Sequence, residues 1–248
     1  MIQKILLHIF SIFLSKLSLK SVHTIGIFIG KLYFFFSKKN YKLLRDNIIN
    51  SKIFEHSVIE DSIKENINEL GKGIIETFYL WGSSQEQSLK LIRNIIGEKY
   101  LIHAEKRGKG IIFLTPHLGC FEITSIYYGS KRPITVMYRK ARKIWMSDFM
   151  INGRKKGKVK LAPADIKGLK KVLIALKNGE AVGILPDQVA DKGEGELANF
   201  FGRPAYTMVL ISKLIKRTDA AIIMAYGERL KNSDGFNIHI EELKRKDI

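Results

Sequence analysis

Two residues suited to acid–base chemistry stand close together in this sequence, in His117-Leu118-Gly119-Cys120-Phe121-Glu122. An imidazole takes up a proton near neutral pH. A carboxylate beside it can fix its tautomer and stabilise the imidazolium, and the pair then works as a general base. Spacing decides whether the two can meet. Five residues along one ideal helix make about 500° of rotation, which leaves the side chains roughly 140° apart. They meet easily if His117 sits on a loop and Glu122 lies in the first turn of the following helix, where the helix N-terminus also favours a carboxylate. Glu122 is therefore the expected orienting partner of His117. Cys120 between them is a second nucleophile to weigh, but no further histidine partners it in the sequence.

The elements around this pair fit that placement. Ile111-Ile112-Phe113-Leu114 is a short apolar run that reads as a fully buried strand, and Thr115-Pro116 forces the chain out of the sheet just before His117. Further strands are expected at 134–138, 181–185 and 220–226, with an extended run at 236–241. Helices are expected at 98–107, 121–129, 141–156, 166–177 and 207–217. Alternating strands and helices imply an α/β fold with a mostly parallel central sheet and helices on both faces. Such sheets bind ligands outside the carboxyl ends of their strands. His117 follows one strand end, Tyr138-Arg139 a second and Asp187-Gln188 a third, which argues that they share one site. An Asp-Gln pair there can also be only a turn former or helix cap.

Ahead of the α/β part, residues 2–36 are rich in Ile, Leu and Phe but are interrupted by Lys16, Lys20, His23 and Lys31. No uninterrupted apolar window of about 20 residues exists, so the stretch reads as an anchor that enters the membrane or lies in its interface, with Lys38 and Lys39 at its edge. The other reading is a pair of core helices. No small-residue cleavage site follows, so a signal peptide is not expected. Residues 40–96 read as helices, with Ile59, Ile63, Ile67, Leu70, Ile74, Phe78 and Trp81 repeating every three to four positions until Gly82-Ser83-Ser84. That stripe is either core or a face that receives an apolar ligand. The expected division is an anchor over 1–38 and a catalytic domain over 39–248, with a helical lead-in over 39–96.

Residues 138–158 are strongly basic, with Arg139-Lys140, Arg142-Lys143 and Arg154-Lys155-Lys156-Gly157-Lys158. Most of these lysines read as a solvated face. Arginine differs, because its planar fork suits a phosphate or a developing oxyanion. Leu185-Pro186-Asp187-Gln188 is followed by a glycine-rich loop and Asn199-Phe200-Phe201-Gly202-Arg203.

Taken together, these stretches resemble a known family. His117 through Glu122 is similar to the His-x4-Asp/Glu motif of the lysophospholipid acyltransferase superfamily. It is closest to the late acyltransferases of lipid A biosynthesis, whose version ends in Glu. The likeness runs from about residue 1 to 240. Cys120 and Phe121 depart from the Asn and Trp common there, which bears on how the loop is pinned. The resemblance implies acyl transfer from acyl carrier protein to a hydroxyl of a phosphorylated glycolipid, without metal, cofactor or acyl-enzyme. It also implies an inner-membrane anchor with the catalytic domain facing the cytoplasm, and Lys38-Lys39 agrees with a cytoplasmic flank. Arg154 falls where the family carries an active-site arginine. The Asp187-Gln188 block resembles one that shapes the substrate groove, and Asp187 either orients Arg154 or binds the acceptor. Family members usually continue for another helix or so beyond a point such as the charged stretch 241–248, so this copy is expected to be shortened or to have lost that segment.

Composition narrows the alternatives. With 248 residues, 46% of them hydrophobic, the chain can build one sizeable core. A single cysteine excludes an internal disulfide and a Cys-based zinc site. Lys and Arg number 42 against 24 Asp and Glu, a formal charge of +18, which suits anionic membranes, phosphates or an acidic protein. Nucleic acid is not expected, because no recognisable binding motif interleaves the basic residues. Motifs for nucleotide binding, serine hydrolysis and zinc proteolysis are missing from the sequence. Two rival readings remain. One is acylation of a glycerophospholipid, which usually carries Asp at the Glu122 position and a Pro-Glu-Gly-type motif not found here. The other is a non-catalytic basic protein that binds membrane or nucleic acid.

Overall fold

The computed structural model describes residues 2–141 and 143–244. Arg142 of the basic run and the charged end over 245–248 lie outside the described residues. The chain opens with helices α1 (Ile2–Ser15), α2 (Leu19–Phe36), α3 (Lys38–Ser51), α4 (Ile59–Gly82) and α5 (Gln85–Leu89). Ser18 caps α2 by accepting the Ser21 N–H. At 18 residues α2 is about 27 Å long, and among the described residues it is the one helix long and apolar enough to cross a membrane. One face of α2 is buried through Val22, His23, Gly26 and Gly30, while Phe28, Phe35 and Phe36 are exposed on the other. Its partner is α4. The helices approach so closely at Gly26 and Gly71 that a Cβ on Gly71 would stand 2.1 Å from the Gly26 carbonyl oxygen. Along α4 the buried apolar side chains are Ile59, Ile63, Ile67, Ile75, Tyr79 and Leu80, with Glu76 buried among them. Leu70 and Ile74, expected in the same apolar stripe, are exposed.

The expectation of helix throughout 40–96 fails at its end, where β1 (Ile92–Ile96) forms. Its ladder partner lies more than a hundred residues downstream, so local periodicity carries no sign of it. The remaining elements are α6 (Glu98–Arg107), β2 (Ile111–Leu114), α7 (Glu122–Lys131), β3 (Ile134–Tyr138), α8 (Ile144–Arg154), β4 (Val159–Pro163), α9 (Ile166–Lys177), β5 (Ala181–Ile184), β6 (Gly195–Phe200), β7 (Arg203–Met208), α10 (Leu210–Arg217), β8 (Ala221–Arg229) and β9 (Phe236–Leu243). Two departures from expectation stand out. β4 follows the basic run directly, as an alternating Val-Lys-Leu-Ala-Pro. The glycine-containing loop after Asp187 contains an antiparallel hairpin, β6–β7. Because β7 continues to Met208, α10 begins three residues later than expected.

Seven strands make the main sheet in the order β1-β9-β8-β2-β5-β3-β4. Neighbours are parallel except for β8 and β9. Both faces are covered. On one face Ile111, Phe113 and Ile223 join a core with α4 and α7; on the other, Ile112, Leu114 and Ile222 join a core with α9 and α10. Successive residues of β2 thus serve opposite cores, which is why its sequence is apolar without alternation.

Candidate active site

β2 lies between β5 and β8 at the middle of the sheet and pairs with β5 in the register Leu114↔Ile184. The Thr115 N–H extends that ladder to the Ile184 carbonyl. Three residues beyond each strand end the chain reaches His117 and Asp187, and the parallel register delivers both to one height above the sheet. There they bond twice. The His117 backbone N–H donates to Asp187 Oδ2 at 2.7 Å, and ring Nδ1 lies 2.8 Å from Oδ1. A carboxylate only accepts, so the proton of this contact sits on Nδ1, and Nε2 of the neutral ring keeps its lone pair. Nε2 lies 3.3 Å from the Gln188 amide nitrogen, and Phe121 stands edge-on to the ring at 4.9 Å.

This corrects the expected pairing. Glu122 does open α7, as anticipated, but no hydrogen bond or ion pair joins it to His117 among the described residues. Its carboxylate is 5% exposed and is taken by Arg154, the last residue of α8, whose Nε lies 2.8 Å from Oε1 and whose Nη2 also bonds that oxygen. The Arg154 guanidinium lies over the Trp81 ring, 5.6 Å from its centre. α7 and α8 thus bring Glu122 to Arg154, while the strand ends bring Asp187 to His117. Of the alternatives for Asp187, orienting Arg154 is not what it does. Lys156 sits beside the buried pair, donating to the Ser83 carbonyl. Burial pushes its ammonium down to about 8, against the pull of Glu122.

One cavity of about 710 Å³ joins His117, Gln188 and Arg154. His117, Arg139, Arg154 and Gln188 belong to its polar lining together with Asp165, Asp191, Glu194 and Lys213, and Met137, Met150, Leu169, Ile184, Met208 and Leu210 supply much of the apolar part. The volume suits a mainly apolar ligand with a few directing polar groups. Arg139 is tied across the cavity rim to Asp191 at 3.2 Å and to the Val189 carbonyl. Trp81, Met150 and Lys156 were not foreseen as neighbours of the site. The sequence offers Trp81 as part of the α4 stripe, either core or ligand face, and nothing local marks the other two.

The turn itself is tightly built. Gly119 has φ +60°, a conformation that favours glycine, and a Cβ there would stand 2.0 Å from the Gly227 carbonyl oxygen. The Cys120 N–H donates to that oxygen at 2.7 Å, so the turn is stitched to β8. Cys120 is buried, and burial drives its thiol well above the ordinary range, which leaves little thiolate for nucleophilic attack.

Comparison with known proteins reaches far beyond this turn. The lipid A biosynthesis palmitoleoyltransferase of Escherichia coli (strain K12) is 26% identical over 180 residues, 71% of this chain and 57% of that protein. The lipid A biosynthesis acyltransferase of Shigella flexneri matches to the same extent. The lipid A biosynthesis lauroyltransferase of Escherichia coli (strain K12) is 24% identical over 168 residues, 67% of this chain and 54% of that protein. The chain thus spans about half the length of the curated relatives it matches. A family model described as bacterial lipid A biosynthesis acyltransferase matches residues 2–242, from the first apolar helix to the last strand. By that match the chain belongs to the bacterial lipid A biosynthesis acyltransferases.

Proposed function

We propose that the protein transfers a fatty acyl chain from an acyl carrier protein thioester to a hydroxyl of a lipid A precursor, at the cytoplasmic face of the inner membrane. The observation that carries the reading is His117, oriented by Asp187 with its Nε2 lone pair met only by the Gln188 amide among the described residues, lining the same cavity as Arg154. Nε2 removes the proton of the acceptor hydroxyl. The alkoxide oxygen attacks the thioester carbonyl and forms the new C–O bond. Arg154, held by Glu122, stabilises the negative oxygen of the tetrahedral intermediate, a contribution of a few kcal/mol for a well-placed donor. The C–S bond then breaks, and the imidazolium returns its proton to the departing thiolate. Asp187 keeps the ring in the required tautomer and stabilises its charged form. Glu122 therefore acts on the chemistry through Arg154.

The apolar part of the cavity lining suits an acyl chain. The net charge of +18 suits both an acidic carrier protein and a phosphorylated glycolipid. The exposed aromatic face of α2 supports membrane attachment. The test is an assay with acyl carrier protein thioesters of several chain lengths and a lipid A precursor, with products read by mass. Acylated precursor is expected, and its absence would refute the reading. Transfer to a glycerol phosphate acceptor instead would move the protein to the neighbouring activity of the superfamily.

A further inference from the structure

Behind the His117 turn lies a second charged cluster that the proposed chemistry does not use. Arg229 ends β8 and is 9% exposed. Its Nε donates to Glu76 Oε1 at 2.6 Å, Nη2 to Glu76 Oε2 at 2.7 Å, and Nη1 to Glu69 Oε2 at 2.9 Å. Nη2 also donates to the Gly119 carbonyl at 3.0 Å, inside the turn and two residues from His117. Glu76 is 1% exposed, and its Oε1 also contacts His23 Nε2 at 2.6 Å. Burial works against the Glu76 charge, but the bonds from His23 and Arg229 hold its carboxyl below the usual range. His23 belongs to α2, the apolar helix, and its Nδ1 lies 2.7 Å from the Ser233 hydroxyl.

Stability alone is a poor reason for this arrangement. Apolar side chains of similar volume often match or exceed a buried ion pair in stability. What they cannot do is aim a donor at one carbonyl. The Gly119 peptide sets the path of the turn, and the path sets where the His117 ring points. α2 is already locked on α4 at Gly26 and Gly71, so a movement of α2 reaches Glu76 through both the backbone contact and His23.

We infer that Arg229 is a positioning residue for His117, acting through the Gly119 carbonyl, and that Glu76 and His23 tie its placement to the seating of helix α2. The relay rests on the acyl-transfer reading for its effect on rate, but its structural half is independent of that reading. Two full-length variants test it in vesicles of anionic phospholipid. The double variant Glu76→Gln with Arg229→Gln keeps the charge balanced and removes the fork. His23→Phe leaves the Glu76–Arg229 pair and cuts its side-chain link to α2. The double variant should lose about 100-fold in kcat, the scale expected when a catalytic group is misplaced by about 1 Å, with KM for both substrates unchanged. His23→Phe should lose about tenfold. In both, hydrogen exchange at the Cys120 amide should quicken while exchange along the rest of α7 stays as in the wild type. Wild-type kcat in either variant, or unchanged exchange at Cys120, would overturn the relay. If the wild type transfers no acyl group, the exchange measurement still decides the structural claim.

Discussion

Two carboxylates stand within the site, each bonded to a basic side chain, and the two pairs are built in opposite ways. Asp187 and His117 meet on loops at the strand ends, with side chains 37% and 35% exposed. Glu122 and Arg154 meet between two helices at 5% and 14%. An exposed pair can be broken with little loss of stability. A buried one cannot, because removing one partner strands the other charge away from water, at a cost of about 3–5 kcal/mol. The pair proposed to transfer the proton is therefore the one the fold can spare, and the pair proposed to face the oxyanion is part of the framework that holds it.

That contrast can be broken in several places. The largest effect is expected from His117→Ala, which should lower kcat by about 10²–10⁴-fold while stability stays within about 0.5 kcal/mol of the wild type, as judged by turnover and urea unfolding on one preparation. Glu122→Ala should lower activity and also destabilise by about 3 kcal/mol or more, since Arg154 is left unpaired. If urea unfolding finds Glu122→Ala as stable as His117→Ala, the contrast between the pairs is wrong. Arg154→Lys should fall between them in activity, because a single ammonium cannot reproduce the two-point bond to Glu122.

The smallest effect concerns Lys156, next to the buried pair. Its folded value is lowered to about 8 from an ordinary 10.5. Between those values the unfolded chain holds the proton and the folded one has released it. Stability must therefore rise with pH across that window, by comparison with Lys156→Met. Thermal melts from pH 7.5 to 10.5 check the sign; parallel curves for the two proteins would remove Lys156 from the account.

How much of this was readable in advance varied with how local each cause is. β2 was plain, since its apolar run is closed by Pro116. The spans of α6 and α9 were also plain, the latter with Asp165 as its cap. β1, β4 and the hairpin β6–β7 were missed. β1 depends on a distant partner, and the hairpin lies in a stretch read only as a loop. The site divided along the same line. That His117, Arg139, Arg154 and Gln188 share a cavity followed from the rule that ligands gather at strand ends, together with one residue carried over by resemblance. The wrong partner for His117 came from reasoning along the chain. Glu122 is near in sequence, but β5 inserts beside β2 and brings Asp187 nearer in space, and strand order is not written in any local pattern.

The most direct test of the account is the tautomer of the His117 ring, read from the ¹⁵N chemical shifts of its two nitrogens at a pH where the ring is neutral. The proton should reside on Nδ1, held by Asp187, with Nε2 unprotonated toward Gln188 and the cavity, and Asp187→Asn should disturb that preference. A ring protonated on Nε2 in the wild type would contradict it, because the nitrogen facing the substrate would then have no lone pair to accept a proton.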